Sequence, residues 1–248
     1  MRQKGRLPAL DALRGVLALV VVADHEAIAL GSHALDVAAG VSVWGFFAMS
    51  AFVLSRAWDG RYGAFLLRRA VRLAPVYLAA WAAGCLLLGP GTPYEVDAPT
   101  WSLGVEAMAM LAFPVLLWAG ATIRRALWTI TGLIALMLVD ARAIWAAWFV
   151  VGVVAHQTLF DDWQSPLWLT SAPLLWLGTI SYSLYLTHWI VLEALGPWGI
   201  LAVPPVAWAT WRWVERPSVR WSRRVGQPGP HARIDARSPL HIAARHQP

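Results

Sequence analysis

The chain has 248 residues, 58% hydrophobic and only 14% charged, with 17 tryptophans and a formal net charge of +6. A soluble domain carries roughly 25% charged residues, so this composition excludes an ordinary water-soluble globule and predicts an all-α polytopic membrane protein. A single cysteine, Cys85, excludes an intramolecular disulfide, and the pI near 10.2 is explained by where the arginines fall rather than by a nucleic-acid partner.

The first apolar stretch, Leu10 to Ala29, carries Arg14 near one end and Asp24-His25-Glu26 near the other. The basic N-terminus and apolar run are like a signal peptide, but these charges interrupt a cleavage region, which predicts an uncleaved first span. Ionisable groups inside a span are expensive and usually face a protein interior or a polar cavity. Arg14 and His25 are eleven residues apart, three turns plus about 20°, so they share one helix face roughly 16 Å apart along the axis. A cation at one end of a groove and an imidazole deep within it suit a long anionic molecule held by its tail and worked on at its head.

Eight spans fit the remaining apolar runs, near 13–30, 40–57, 73–89, 102–120, 126–140, 143–160, 173–195 and 197–214. The fifth is short. The run from Leu167 to Leu195 is too long for one upright span, and Pro204 and Pro205 predict a kink in the eighth. Arginines and the single lysine test the count. Arg2, Lys4, Arg6, Arg14, Arg56, Arg61, Arg68, Arg69, Arg72, Arg124, Arg125 and the eight arginines from Arg212 to Arg245 all fall on one side, and only Arg142 falls opposite. Both termini are therefore expected in the cytoplasm. From about Gly226 the chain is rich in Pro, Gly, His and Arg, which divides it into a transmembrane domain over 1–225 and a disordered cytoplasmic tail over 226–248. No repeat, Gly-rich phosphate loop or Cys/His cluster with metal-ligand spacing is present, so no metal is expected.

The intramembrane polar groups fall into two sets. Arg14, Arg68, Arg69 and Arg72 lie toward the cytoplasmic side, and Arg69 and Arg72, three apart, share a face suited to phosphate; each is also explained by positive-inside anchoring. His25, Glu106 and His188 lie about 18, 6 and 22 Å along spans one, four and seven, all in the outer half of a core of about 30 Å, which suggests one site with a histidine base beside a carboxylate. Helix-to-helix hydrogen bonding accounts for the same histidines in purely structural terms, and Ile180 to Tyr185 reads equally as small-residue packing.

Six segments carry a resemblance to a known family. Leu10-Asp11-Ala12-Leu13-Arg14-Gly15 followed by His25 resembles the opening of the acyltransferase family 3 membrane proteins, with their Arg-x10-His pattern. Gly45 to Phe52 resembles their FF-x-x-SGF segment, Phe65 to Pro75 their Arg-x-x-Arg stretch, and Trp101-Ser102-Leu103-Gly104-Val105-Glu106 their WSL-x-x-E. Ile180 to His188 and Val214 to Pro217 are similar to their closing signatures. Ala51 stands where the family has glycine, Ala12 replaces the glycine of LDGLRG, Ala-Met-Ala-Met follows Glu106 in place of a second acid and aromatics, and ten spans are usual where eight are counted. No hydrolase-like extracytoplasmic domain is expected.

The resemblance implies a multi-pass protein of the bacterial inner membrane that moves an acyl group, often acetyl, from cytoplasmic acyl-CoA to a hydroxyl of a carbohydrate or glycolipid, with acyl-CoA as co-substrate and no permanently bound cofactor. Arg14, Arg69 and Arg72, with Arg68 beside them, would meet the CoA phosphates. His25 would act as base or carry the acyl group, and Glu106 would orient it. Asp24, Trp101, Ser102, Tyr182 and His188 are candidates for the acceptor site or for structural roles. A proton-coupled transporter or flippase, and a degenerate non-catalytic relative, are the alternatives.

Overall fold

The computed structural model describes residues 7–140, 142–158 and 166–225. The expected tail at 226–248 lies outside them. The described residues form helices and turns without a strand: α1 (Pro8–Ala29), α2 (Asp36–Ala57), α3 (Tyr62–Leu88), the single turn α4 (Pro93–Val96), α5 (Trp101–Leu111), α6 (Phe113–Gly120), α7 (Ile123–Leu136), α8 (Ala143–Thr158), α9 (Ala172–Leu195), α10 (Val203–Thr210) and α11 (Arg216–Ser222).

Local chemistry sets the boundaries. Pro8 opens α1, where its missing N–H costs nothing. Gly60, at φ +80°, turns the chain between α2 and α3, a conformation that favours glycine. Thr92 and Glu95 close a capping box on α4, with the Thr92 N–H donating to Glu95 Oε2 at 2.7 Å.

Proline sets the breaks. The expected span 102–120 is two helices, α5 and α6, bent by 73°, because Pro114 cannot donate the next rung of the ladder. The break expected within 197–214 is present, and it falls just before the prolines: the segments Ala172–Leu201 and Val203–Ser222 are bent by 115° at residue 202, and Pro204 and Pro205 lie in the first turn of α10, where they cost no hydrogen bond. The upstream part of the Leu167–Leu195 run forms a separate 3-10 turn, Leu167–Thr170, ahead of α9.

Among the described residues, α2 and α3 are long and apolar enough to cross a membrane by themselves, and the α5–α6 and α9–α10 pairs meet the same test when each bent pair is taken as one span. That gives two to four spans by length and composition, against the eight expected. The difference is physical: α1 carries Asp11, Arg14, Asp24 and Glu26, and α7 and α8, at 14 and 16 residues, reach only about 21 and 24 Å. Large apolar side chains nonetheless cover the outside, with Leu86, Leu138, Trp128 and Trp213 all exposed, the surface that lipid requires.

The centre of the bundle is α9. From Ile180 to Leu192 nearly every side chain is buried, and the helix packs on α1, α3 and α10. A second and larger apolar cluster joins α2, α5, α6 and α8 through Phe47, Phe113 and Phe149.

Candidate active site

The site is built where α1 and α9 cross. Gly15 and Gly178 meet at the crossing: a Cβ on Gly15 would lie 2.6 Å from the Gly178 backbone nitrogen, and one on Gly178 would strike the Asp11 carbonyl. Only glycine lets the two backbones come this close. Ten residues further along each helix, His25 and His188 meet. Two contacts at equal spacing mean that α1 and α9 run parallel in matched register, about 15 Å from crossing to histidine pair.

Beside the crossing lies a cavity of about 80 Å³ lined by Arg14, Ser50, Arg69, Arg72, Glu106 and Tyr185, among others. That is room for a few waters or a small acyl group. Arg69 Nη2 donates to Glu106 Oε1 at 2.7 Å, and the Ser50 hydroxyl donates to the same oxygen at 2.6 Å. Glu215, buried in a π-helical turn at Trp211–Glu215, accepts from both the N–H and the hydroxyl of Ser183 at 3.2 and 2.6 Å. Glu215 and Glu106 both act electrostatically on Arg72. Among the described residues, neither the Arg14 nor the Arg72 guanidinium makes an ion pair within 4 Å.

The expected site residues are thus divided. Arg14, Arg69 and Arg72 come together on one cavity, well along α3 rather than ahead of it: α3 begins at Tyr62 rather than near residue 73, so Arg72 lies about 15 Å into the helix. Arg68 is not with them. It binds Asp59 at 3.0 Å, which also holds Arg61. Glu106 does not join His25, as a shared depth had suggested; its hydrogen bonds go to Arg69 and Ser50, because α5 faces α2 and α3 at this level.

His25 has a different partner. Its Nδ1 lies 2.7 Å from His188 Nε2, the two rings stack at a centroid distance of 5.0 Å, and Trp189 meets His25 edge-on at 5.0 Å. His188 is fully buried. The cavity does not reach this pair. Tyr185 stands between, packed against Phe46 at 5.7 Å and against His188 at 5.8 Å, with its hydroxyl bonded to Ser102 at 2.9 Å.

The other candidates have structural partners. Ser102 donates to the Pro99 carbonyl at 3.0 Å, and the Tyr182 hydroxyl donates to the Leu73 carbonyl at 2.9 Å. Trp101 packs against Phe47 and Trp145, and Asp24 is buried beside Asp36. No group of three or more His, Cys, Asp or Glu among the described residues could hold a metal ion. Sequence reasoning gave no role to Ser50, Ser183 or Glu215. The available signal was that Glu215 closes an apolar run, where an acidic side chain is a candidate by its cost alone.

The arrangement can hold an anion at one level and move a proton at another. No curated protein and no solved structure matches the chain. The model of acyltransferase family 3, described as an acyltransferase domain, matches residues 7–157, a stretch holding Arg14, His25, Arg69, Arg72 and Glu106, so the chain belongs to the acyltransferase family 3 of membrane proteins.

Proposed function

We propose that this membrane acyltransferase takes an acyl group, acetyl in the simplest case, from cytoplasmic acyl-CoA and passes it to a hydroxyl of a carbohydrate or glycolipid, with His25 as general base. The observation that carries the donor half is the pair of guanidiniums, Arg14 and Arg72, that line the cavity with no ion pair of their own among the described residues. Both side chains are half-buried and face the cavity, and forked guanidinium donors match phosphate. In the same reading the chain crosses a plasma (inner) membrane eight times with both termini in the cytoplasm: the one-sided distribution of basic residues supports the orientation, and α1, α7 and α8, too charged or too short to pass alone, would cross packed against α9, α8 and α2.

In this reading the acceptor O–H gives its proton to His25 Nε2 as its oxygen attacks the thioester carbonyl. The C–S bond breaks, and the thiolate takes the same proton, leaving an ester and free CoA. General base catalysis of this kind contributes about 10²- to 10⁴-fold. The Phe46–Tyr185 pair has to part for the thioester arm to pass from the cation cavity to His25. Glu106 holds Arg69 in place rather than tuning the base.

The test is release of free CoA from acyl-CoA by the purified protein in lipid, with a saccharide acceptor, for wild type beside His25→Ala. Loss of roughly 10² or more in rate, in a variant that still folds, supports the reading. Undiminished release from His25→Ala sinks it.

A further inference from the structure

The hydrogen bonds around His188 fix the proton positions of the whole pair. His188 Nδ1 lies 2.8 Å from the Tyr185 carbonyl and 3.2 Å from the Leu184 carbonyl. Both are acceptors only, so Nδ1 carries the hydrogen. The ring is fully buried and no carboxylate is bonded to it, so it is neutral. With one hydrogen, on Nδ1, its Nε2 presents a lone pair. The 2.7 Å contact to His25 Nδ1 therefore has one consistent assignment: His25 Nδ1–H donates and His188 Nε2 accepts. No carboxylate is bonded to His25 either, and in its neutral form His25 Nε2 is left without a hydrogen and, among the described residues, without a hydrogen-bond partner, on a ring that is only half-buried.

We propose that His188 is a positioning residue: it anchors to the backbone of its own helix and sets the tautomer of His25, so that His25 Nε2 is the basic nitrogen. The inference rests on the reading of His25 as base and goes beyond it by naming which nitrogen acts and what holds it there. The hydrogen bond made by one ring nitrogen decides the state of the other, and a base oriented by a third group is a recurring device in acyl transfer. When His25 takes the acceptor's proton at Nε2, it becomes an imidazolium whose Nδ1–H already points at a neutral acceptor, and that bond strengthens as charge develops. When Nε2 gives the proton to the departing thiolate, the starting arrangement returns. His188 touches neither substrate. Its geometry depends on the Gly15–Gly178 crossing, which keeps the two helices in register.

The experiment compares wild type, His25→Ala, His188→Leu and His188→Gln in lipid, with acetyl-CoA and a saccharide acceptor. Leucine keeps the volume and removes the acceptor. Glutamine offers a carbonyl oxygen where the imidazole has Nε2. His188→Leu is expected to lose about 10- to 100-fold in kcat, part of the full general-base effect, with KM for acetyl-CoA unchanged, and His188→Gln is expected to recover most of it. If His25→Ala is inactive while His188→Leu keeps wild-type kcat, the inference falls and the reading of His25 survives. If His25→Ala keeps full activity, the reading itself falls. Should His188→Leu fail to fold, the ¹⁵N spectrum of histidine-labelled wild type decides, with His25 assigned by its loss in His25→Ala. A protonated Nδ1 and a bare Nε2 support the proposal, and the reverse tautomer overturns it.

Discussion

Gly15→Ala isolates the contact that brings the two functional levels into line. The new Cβ would lie 2.6 Å from the Gly178 nitrogen and 2.8 Å from the Leu177 carbonyl carbon. Ordinary contact begins at 3.4 Å, so α1 and α9 must separate by about 0.8 Å. Neither contacted atom can rotate away, because both belong to the backbone of a buried helix. Overpacking of this kind costs about 1–3 kcal/mol. Carried along two parallel helices to His25 and His188, the same displacement stretches the 2.7 Å bond to about 3.5 Å, beyond the range of a hydrogen bond, and removes about 1 kcal/mol more. The expected variant folds, melts several degrees lower in lipid or detergent and loses turnover out of proportion to its stability. Gly132→Ala in α7 is the control: nothing lies within 4 Å of its Cβ, and alanine there is expected to be neutral or up to about 1 kcal/mol stabilising. Equal melting temperatures and turnover for Gly15→Ala and wild type would refute the argument that glycine sets the helix separation and, through it, the histidine pair.

Two further outcomes are expected. Arg72→Gln should raise KM for acyl-CoA about 10- to 100-fold, the loss of one charge-assisted contact, whereas Arg68→Gln, whose guanidinium is held by Asp59 outside the cavity, should leave KM unchanged; equal effects in kinetic assays would contradict the division of the arginines. Asp97 lies outside the spans, 1% exposed and with neither carboxylate oxygen hydrogen-bonded, and burial pushes its carboxyl from 3.8 up to about 8. The folded state then keeps a proton that the unfolded state loses, so stability is fully present below about pH 4, declines as pH rises by up to about 1.4 kcal/mol per pH unit, and levels off above about pH 8, a ceiling of about 6 kcal/mol. Asp97→Asn should flatten that decline in a melting series from pH 5 to 9, and an unchanged slope would show that the carboxyl is ionised in the folded protein.

The sequence by itself determined the class of the molecule and most of the parts of its site. Low charge content, long apolar runs and one-sided arginines mark a helical membrane protein, because a bilayer filters composition before any fold is formed. The cost of an ionisable group in such a run singled out Arg14, His25, Glu106 and His188, and helical periodicity placed Arg69 with Arg72. What one chain cannot show is partnership between helices. Depth along a span is a one-dimensional quantity, and it grouped Glu106 with the histidines, although the rotation of α5 turns its carboxylate to Arg69 and Ser50 instead. The same holds for Arg68, which shares a sequence cluster with Arg69 but lies on a face held by Asp59. Pro204 and Pro205 announced a break within 197–214, but only the structure showed that it falls ahead of them, at residue 202, and turns the chain by 115°. The meeting of His25 with His188, 163 residues apart, was decided only by the close approach that Gly15 and Gly178 allow, because hydrogen bonds between helices depend on separations of tenths of an ångström that no spacing within either helix encodes.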